Sequence, residues 1–496
     1  MRKTVSLLLC ALLLASMLVA CGKPAEDTDI PAADVIETAE PTNDTPDLPD
    51  PETINIAGDF NILVSGNMAM NDFQSDSDEG TAVEIAIYRR NETVKAKYGV
   101  VILNEDVTKF GSTTGSGTGF TKIYTDYMAG DHLYDAALIG TYDVATLAYN
   151  GFIHDLNDVP YIDLSKAYWD QKANADLSIN GRMYYTTGEI TTSDNVMTHA
   201  ILFNKDLRAE YGLEDPYELV RNDKWTLEKF SQLVKQVGED LNQDGIFDAN
   251  DKYGLLTFND PMVAILAASG EKIASINEEG LIELTFYNER VVDLYDRFTA
   301  LNFDMVHVYN YQYDNVSGKA TPLATWDTAR DSVFSEGRAL FYTNLFEAVD
   351  RHRDSETDFG ILPYPKMDAD QAEYGHAVSA YHSQFICVPE MAADHERSGI
   401  VLEELAYQGL KLLTPAYYDQ TLVGKSVRDE ESVDMLDIIF STRVFDVGQY
   451  YNVGSIKDQL GKIYVTRTPI TSMYETYKMS AQIKIDTIND IMQDLQ

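Results

Sequence analysis

The residues best placed for chemistry in this chain of 496 residues are a thiol near its start and a run of carboxylates near its middle. Arg2 and Lys3 open a positive stretch, an apolar run from Val5 to Ala20 follows, and Leu18-Val19-Ala20-Cys21-Gly22 closes it. An ordinary secretory leader needs small residues at its cut but no cysteine, whereas a leader ending on a cysteine supplies a thiol for a diacylglycerol thioether. The pattern predicts a signal segment over residues 1–20, cleavage before Cys21 and lipid on that residue, holding the protein to the extracytoplasmic face of a membrane. The apolar run is sixteen residues long, short of the ~20 that a membrane span takes. In the middle, Asp240-Leu241-Asn242-Gln243-Asp244-Gly245-Ile246-Phe247-Asp248-Ala249-Asn250-Asp251 has the order of a calcium loop. Oxygen ligands fall at Asp240, Asn242, Asp244, Asp248 and Asp251, with the Ile246 carbonyl between them and Gly245 at the sharp turn. The closing Asp251 is shorter than the usual glutamate, which weakens bidentate capture. The same residues also suit a plain Asp/Asn/Gly turn between a helix ending near Glu239 and a strand at Tyr253, so structural calcium and a bare turn both stand.

Catalytic signatures are thin. No HExxH or GxSxG occurs, and Gly424-Lys425-Ser426 has Asp419 where a phosphate loop needs its first glycine. Eighty acidic residues guarantee chance carboxylate pairs without placing any two at a glycosidase separation. Once Cys10 leaves with the leader and Cys21 is acylated, Cys387 stands alone in Phe385-Ile386-Cys387-Val388. It reads as a small buried hydrophobe, and no intrachain disulfide is available. The formal charge of −42 excludes nucleic acid as a partner, because phosphate binding needs a basic surface. Thirty-one tyrosines with Trp169, Trp225 and Trp326 exceed what a core normally uses. A tyrosine-rich, acid-rich cleft suits saccharides, whose C–H faces stack on rings while Asn, Asp and Glu bind hydroxyls. For any one tyrosine, packing remains the simpler reading.

Elements that would position these groups follow from periodicity. Residues 21–53 form an acidic, proline-rich linker with Pro24, Pro31, Pro41, Pro46, Pro49 and Pro51 and no aromatic residue. Beyond it, strands and helices alternate, which predicts an α/β fold with largely parallel sheets. Asp59–Val64 reads as a strand, and Ala82–Tyr98 as a helix stopped by Gly99. Leu133–Ile139 reads as a buried strand turning at Gly140-Thr141-Tyr142 into a helix from Asp143. Ala200–Phe203 is another strand; Thr226 caps a helix with Phe230, Leu233, Val234 and Val237 on one face. Ser398–Leu413 and Glu430–Phe440 are further helices, and Gly111–Gly119 is a mobile loop by composition. A mature chain of this length exceeds one core, so two lobes are expected.

Several segments resemble the extracellular solute-binding proteins of family 1, the maltose-binding type that feed ABC importers. Leu133–Ile139 through Gly151-Phe152-Ile153-His154-Asp155-Leu156 resembles the family's strand, helix and G-x-x-x-D-L pattern. Asn180-Gly181-Arg182-Met183-Tyr184-Tyr185 with Gly188, Ile201-Leu202-Phe203-Asn204-Lys205-Asp206-Leu207, Trp225-Thr226 and Phe334-Ser335-Glu336-Gly337-Arg338-Ala339 resemble its later motifs, arginine replacing lysine in the last. The similarity runs through residues 54–460, while the calcium-like loop and Thr414–Asp419 resemble a Gram-positive branch. The resemblance implies a two-lobed class II architecture, hinged, with lobe 1 at 54–200 plus part of 388–430 and lobe 2 at 201–387 plus 431–496. It implies a monomeric receptor that binds a solute without turnover, closes on it, and hands it to membrane permease subunits. An oligosaccharide is the first expectation; a peptide, a polyol, or a surface glycan hydrolase or sensor component are the alternatives. By position the cleft would draw on Ser65, Asn67, Thr141, Tyr142, Asp143, Glu189 and Thr191 from one side. From the other it would draw on Asn259, Asp260, Asn344, Phe346, Tyr450, Tyr451 and Asn452, with Trp169 either a platform or core.

Overall fold

The computed structural model describes residues 44–66, 72–108, 115–314, 321–322, 326–418 and 431–495. Cys21, the leader, most of the acidic linker and Asn67 lie outside these residues. Two sheets organise the rest. The first has the order Gln384–Cys387, Ala136–Gly140, Gly58–Gly66, Val100–Thr108. Its last three strands are mutually parallel, and Gln384–Cys387 runs antiparallel to Ala137–Gly140. In the second sheet Phe359–Leu362, His199–Asn204, Ala339–Leu345 and Lys252–Thr257 lie side by side, with Val308–Asn310 on the far edge. All but His199–Asn204 and the short edge strand Gly238–Glu239 point the same way. The mostly parallel α/β reading therefore stands. Side chains alternate as strand geometry requires: Ile201 and Phe203 join one core, Ala200 and Leu202 a second core on the opposite face.

One boundary moves. Gln384–Cys387 was expected at the end of the second lobe, yet it completes the first sheet, with Phe385, Ile386 and Cys387 all buried in the core there. Cys387 is a free, fully buried thiol that burial pushes far above the ordinary range. The chain crosses between sheets in the stretch after Thr186, bridged to Ile386, and before His199, opposite Leu345.

Several helices begin where their caps dictate. Ala82–Tyr98 carries a reciprocal capping box from Thr81 and Glu84 and ends on left-handed Gly99. Thr226 caps Leu227–Val234 by accepting from the Lys229 amide. That helix stops short of the expected Glu239, because Gly238 and Glu239 pair with Tyr253 and Lys252. Gly238 fits there since a Cβ would sit 2.7 Å from the Val306 carbonyl oxygen. The expected strand at Leu133 begins only at Ala136; Leu133 is exposed, its amide donating to the Asp126 carboxylate. Thr141–Tyr149 starts two residues before Asp143, and Thr118–Ala129 takes in the end of the glycine-rich loop. The predicted Ser398–Leu413 helix runs from His395, capped by Asp394, and turns into a π-helical stretch at Gly409–Leu413. There Gly409 passes the crossing segment so closely that a Cβ would lie 1.9 Å from the Glu189 carbonyl oxygen. Glu431–Ser441 matches its expectation within a residue.

The last helix, Ile470–Asp494, touches distant parts of the chain. Lys484 lies over the Tyr149 ring, Asn489 exchanges two hydrogen bonds with the Ile282 backbone, and the Met492 carbonyl accepts from Asn180. No helix among the described residues is long and apolar enough to cross a membrane.

Candidate functional site

In both sheets the parallel strands end, and the antiparallel strand begins, at one edge. In the first sheet that edge carries Ser65, Gly140-Thr141-Tyr142 and the approach to Gln384. In the second it carries Phe258-Asn259-Asp260 after Thr257, Tyr311 after Asn310, and His199 opposite Leu345. The carboxyl ends of parallel strands are where α/β proteins collect ligands, since turns there expose backbone and side-chain groups together.

Asp260 ties these turns together. It stands at the start of the Pro261–Ala268 helix, partly exposed. Its charge acts on Tyr142 from the first sheet, on His382 beside Gln384, on His199 and Tyr311 from the second sheet, and on Lys457. Three buried polar atoms here have no hydrogen-bond partner among the described residues: His199 Nδ1, His382 Nδ1 and Asn259 Oδ1; the Tyr142 hydroxyl beside them has the Lys457 ammonium as its partner. Buried polar groups are normally satisfied, and leaving one unmade costs ~1–3 kcal/mol. Three in one region could be satisfied by a ligand with hydroxyl-like donors and acceptors.

Burial lowers the His199 imidazole to about 4 and lowers His382 too, in both cases against the pull of Asp260. Neutral imidazoles can donate and accept at once. Burial raises the Tyr142 hydroxyl, keeping it protonated. Behind Tyr142 a cavity of about 200 Å³ is lined by Gly115, Thr146, Tyr149, Tyr450, Tyr451 and Asn452. Tyr451 packs on Tyr149 and Tyr185 with centroids 6.2 and 6.5 Å away.

The expected residues divide sharply. Tyr142, Asn259 and Asp260 lie at the crevice, and Tyr450, Tyr451 and Asn452 line the adjoining cavity. The others turn to internal partners. Thr141 and Ser383 hydroxyls share a 2.8 Å hydrogen bond, Asp143 accepts from the Gly117 and Phe120 amides, and Thr191 donates to Asp72 at 2.8 Å. The buried Ser65 carbonyl accepts from Gln384. Asn344 bonds Tyr342 and the Leu345 amide, and Phe346 packs edge-on against Phe440. Glu189 accepts from Thr414 near a buried cluster in which Arg443 bridges Asp170 and Asp194. Trp169 is core, its indole N–H donating to Glu403. His199, Tyr381, His382 and Lys457 escaped notice; only the aromatic pair Tyr381-His382 just before a strand offers a local signal.

In the 240–251 loop the carboxylates face backbone amides. Asp240 accepts from Gln243 and Gly245, Asp244 from Ile246, Asp248 from Asn250, and fully buried Asp251 from Leu241 and Asp248. The Asn242 side chain accepts from the Asp244 amide. No cluster of three His, Cys, Asp or Glu side chains suited to a metal occurs among the described residues.

No family model and no curated protein matches the chain in sequence. Solved structures match its fold. The maltose/maltodextrin-binding domain MalE from Bdellovibrio bacteriovorus, bound to maltotriose, superposes with TM-score 0.53 at 14% identity, over 86% of this chain and 100% of that one. The galacto-N-biose/lacto-N-biose I-binding protein of the ABC transporter from Bifidobacterium longum, with lacto-N-biose, gives 0.56 at 10% identity, over 88% and 98%. UgpB from Mycobacterium tuberculosis, with glycerophosphocholine, gives 0.55 at 14%, over 87% and 99%. The fold is thus that of solute-binding proteins of the maltose-binding type, the first two of these neighbours being described as sugar-binding.

Proposed function

We propose that this chain is the solute receptor of an ABC importer, tethered to the outer face of the membrane by lipid on Cys21, and that its ligand is an oligosaccharide. The observation that carries the reading is the gathering of unpartnered His199 Nδ1, His382 Nδ1 and Asn259 Oδ1, with the Tyr142–Lys457 pair, around Asp260 at the strand-end edge of both sheets. Neutral donors and acceptors beside tyrosine rings suit sugar hydroxyls and C–H faces. The cavity behind Tyr142 gives a chain of sugar units room to continue. The ligand would stabilise the form that contacts it from both sides, and permease subunits would read that form. The acidic tether would keep receptor and permease at high effective concentration.

The UgpB neighbour with glycerophosphocholine keeps a second reading open, that of a receptor for another small solute such as a polyol or peptide. A hydrolase or sensor component is the remaining alternative. A thermal-shift screen of the mature protein over mono- and oligosaccharides, polyols and short peptides separates the first two. Chromatography of the glycans after incubation separates the third, because any product sinks the binding-only reading. Stabilisation by peptides alone would overturn the oligosaccharide. The 240–251 loop is proposed to take structural calcium, its carboxylates turning from amides to the ion. Running the screen with and without chelator tests this, and an unmoved melting curve would leave the segment a turn.

A further inference from the structure

A lysine in the first turn of a helix opposes the helix dipole, and Lys457 sits in the first turn of Ile456–Thr466. The chain reaches it through Asn452, Gly454 and Ser455, all at positive φ, so the turn that aims this residue is sharply bent. Its side chain is only 13% exposed. An ordinary surface lysine would extend its ammonium into water; this one points inward. The ammonium lies 5.3 Å from the centroid of the Tyr142 ring and 5.7 Å from that of Tyr381. It pairs with the adjacent Asp458 at 3.8 Å and hydrogen-bonds the Tyr142 hydroxyl. Burial disfavours the charge, yet Tyr142, Asp260 and Asp458 together hold the ammonium well above the ordinary lysine range. The four groups come from four places: the first sheet's strand end, the approach to Gln384, the second sheet's strand end and the helix itself.

Two tyrosine faces with a carboxylate nearby are what a cationic headgroup needs. The chain as a whole carries −42, and such a field draws cations toward a cleft. We propose that Lys457 is a specificity-determining residue, an internal cation that fills this cage and bars cationic solutes from the crevice, leaving it to ligands that present oxygen. The inference rests on reading the crevice as the solute site. A ligand hydroxyl or carboxylate reaching the ammonium gains a charge-assisted hydrogen bond. A ligand ammonium meets a like charge a few ångströms away in a partly desolvated space.

The probe is choline chloride, titrated against sodium chloride at matched ionic strength and followed by ligand-observed NMR and tyrosine fluorescence. The mature protein and its Lys457→Met variant are compared; methionine keeps the stem and removes the charge. Expected is choline affinity at least about tenfold higher in Lys457→Met, about 1.4 kcal/mol, lost again when Tyr142→Ala is added. Lys457→Gln gives a second neutral variant should methionine not fold. A folded neutral variant that binds choline no better than the wild type overturns the proposal, as does gained binding that survives Tyr142→Ala. The glycan screen on the wild type reads the receptor assignment separately, so a chain that binds no sugar and a cage that takes no choline are distinguishable results.

Discussion

Acid should loosen this protein through His376. Its ring is fully buried, and its Nε2 accepts the backbone N–H of Tyr364 at 3.0 Å, so that nitrogen cannot carry a proton while the bond exists. Nδ1 lies 2.8 Å from the Thr442 hydroxyl. Burial, assisted by the neighbouring His199, lowers the group from 6.5 to about 3. The folded state therefore binds fewer protons than the unfolded state between pH 3 and 6.5. With fewer protons on the native side, stability rises with pH across that window and is fully present above it. At ~1.4 kcal/mol per pKa unit, the shift sets a ceiling near ~5 kcal/mol. His376→Gln keeps an acceptor for the Tyr364 amide and removes the titration. Urea midpoints from pH 4 to 7.5 at constant ionic strength should show the variant weaker at neutral pH by ~1–2 kcal/mol. Its slope against pH should be shallower by up to ~1.4 kcal/mol per unit. Asp194 and Glu403, both raised to about 7 mainly by burial, tilt stability the other way, but they are common to both proteins and cancel in the difference. Parallel curves for the two proteins would refute the reasoning.

Two substitutions probe other parts of the molecule. Tyr142→Phe removes a buried hydroxyl that hydrogen-bonds the Lys457 ammonium, so stability should fall by ~1–3 kcal/mol while ligand affinity falls about tenfold, the worth of one hydrogen bond; calorimetry with the ligand from the screen would show unchanged affinity if the crevice were elsewhere. Arg443→Met strands Asp170 and Asp194 beside Glu189 and should cost ~3–5 kcal/mol. Because the stranded carboxyls can then take protons, the deficit should be smaller at pH 5 than at pH 8, and an equal deficit at both would contradict that electrostatic account.

Periodicity and caps were legible where local chemistry decides. Ala82–Tyr98, the Thr226 cap and the apolar strand near Ile62 needed no knowledge of partners. Boundaries failed where a distant backbone intervenes. Val237 fits the helical stripe of Phe230 and Val234, yet Gly238 leaves to pair with Tyr253. Gln384–Cys387 reads as a strand without saying which sheet it joins. The site was half legible for the same reason. Strand-end turns pointed to Tyr142, Asn259 and Asp260, but a turn residue can aim at the crevice or at its own neighbours. Asp143 and Thr141 chose the neighbours. Lys457 could not be found from its surroundings in sequence, because Tyr142, Asp260 and Tyr381 lie far from it along the chain.

The closing helix, Ile470–Asp494, belongs to neither sheet, yet it holds Tyr149, Ile282 and Asn180 at Lys484, Asn489 and Met492. Those three anchors lie within about 12 Å of one another along a single helix axis at ~1.5 Å per residue. A helix of this kind is a splint. The helix Thr141–Tyr149, which begins with Tyr142, and the hairpin strand Ile282–Leu284 are thereby held on one rod at a fixed spacing, although they come from stretches more than a hundred residues apart in the chain.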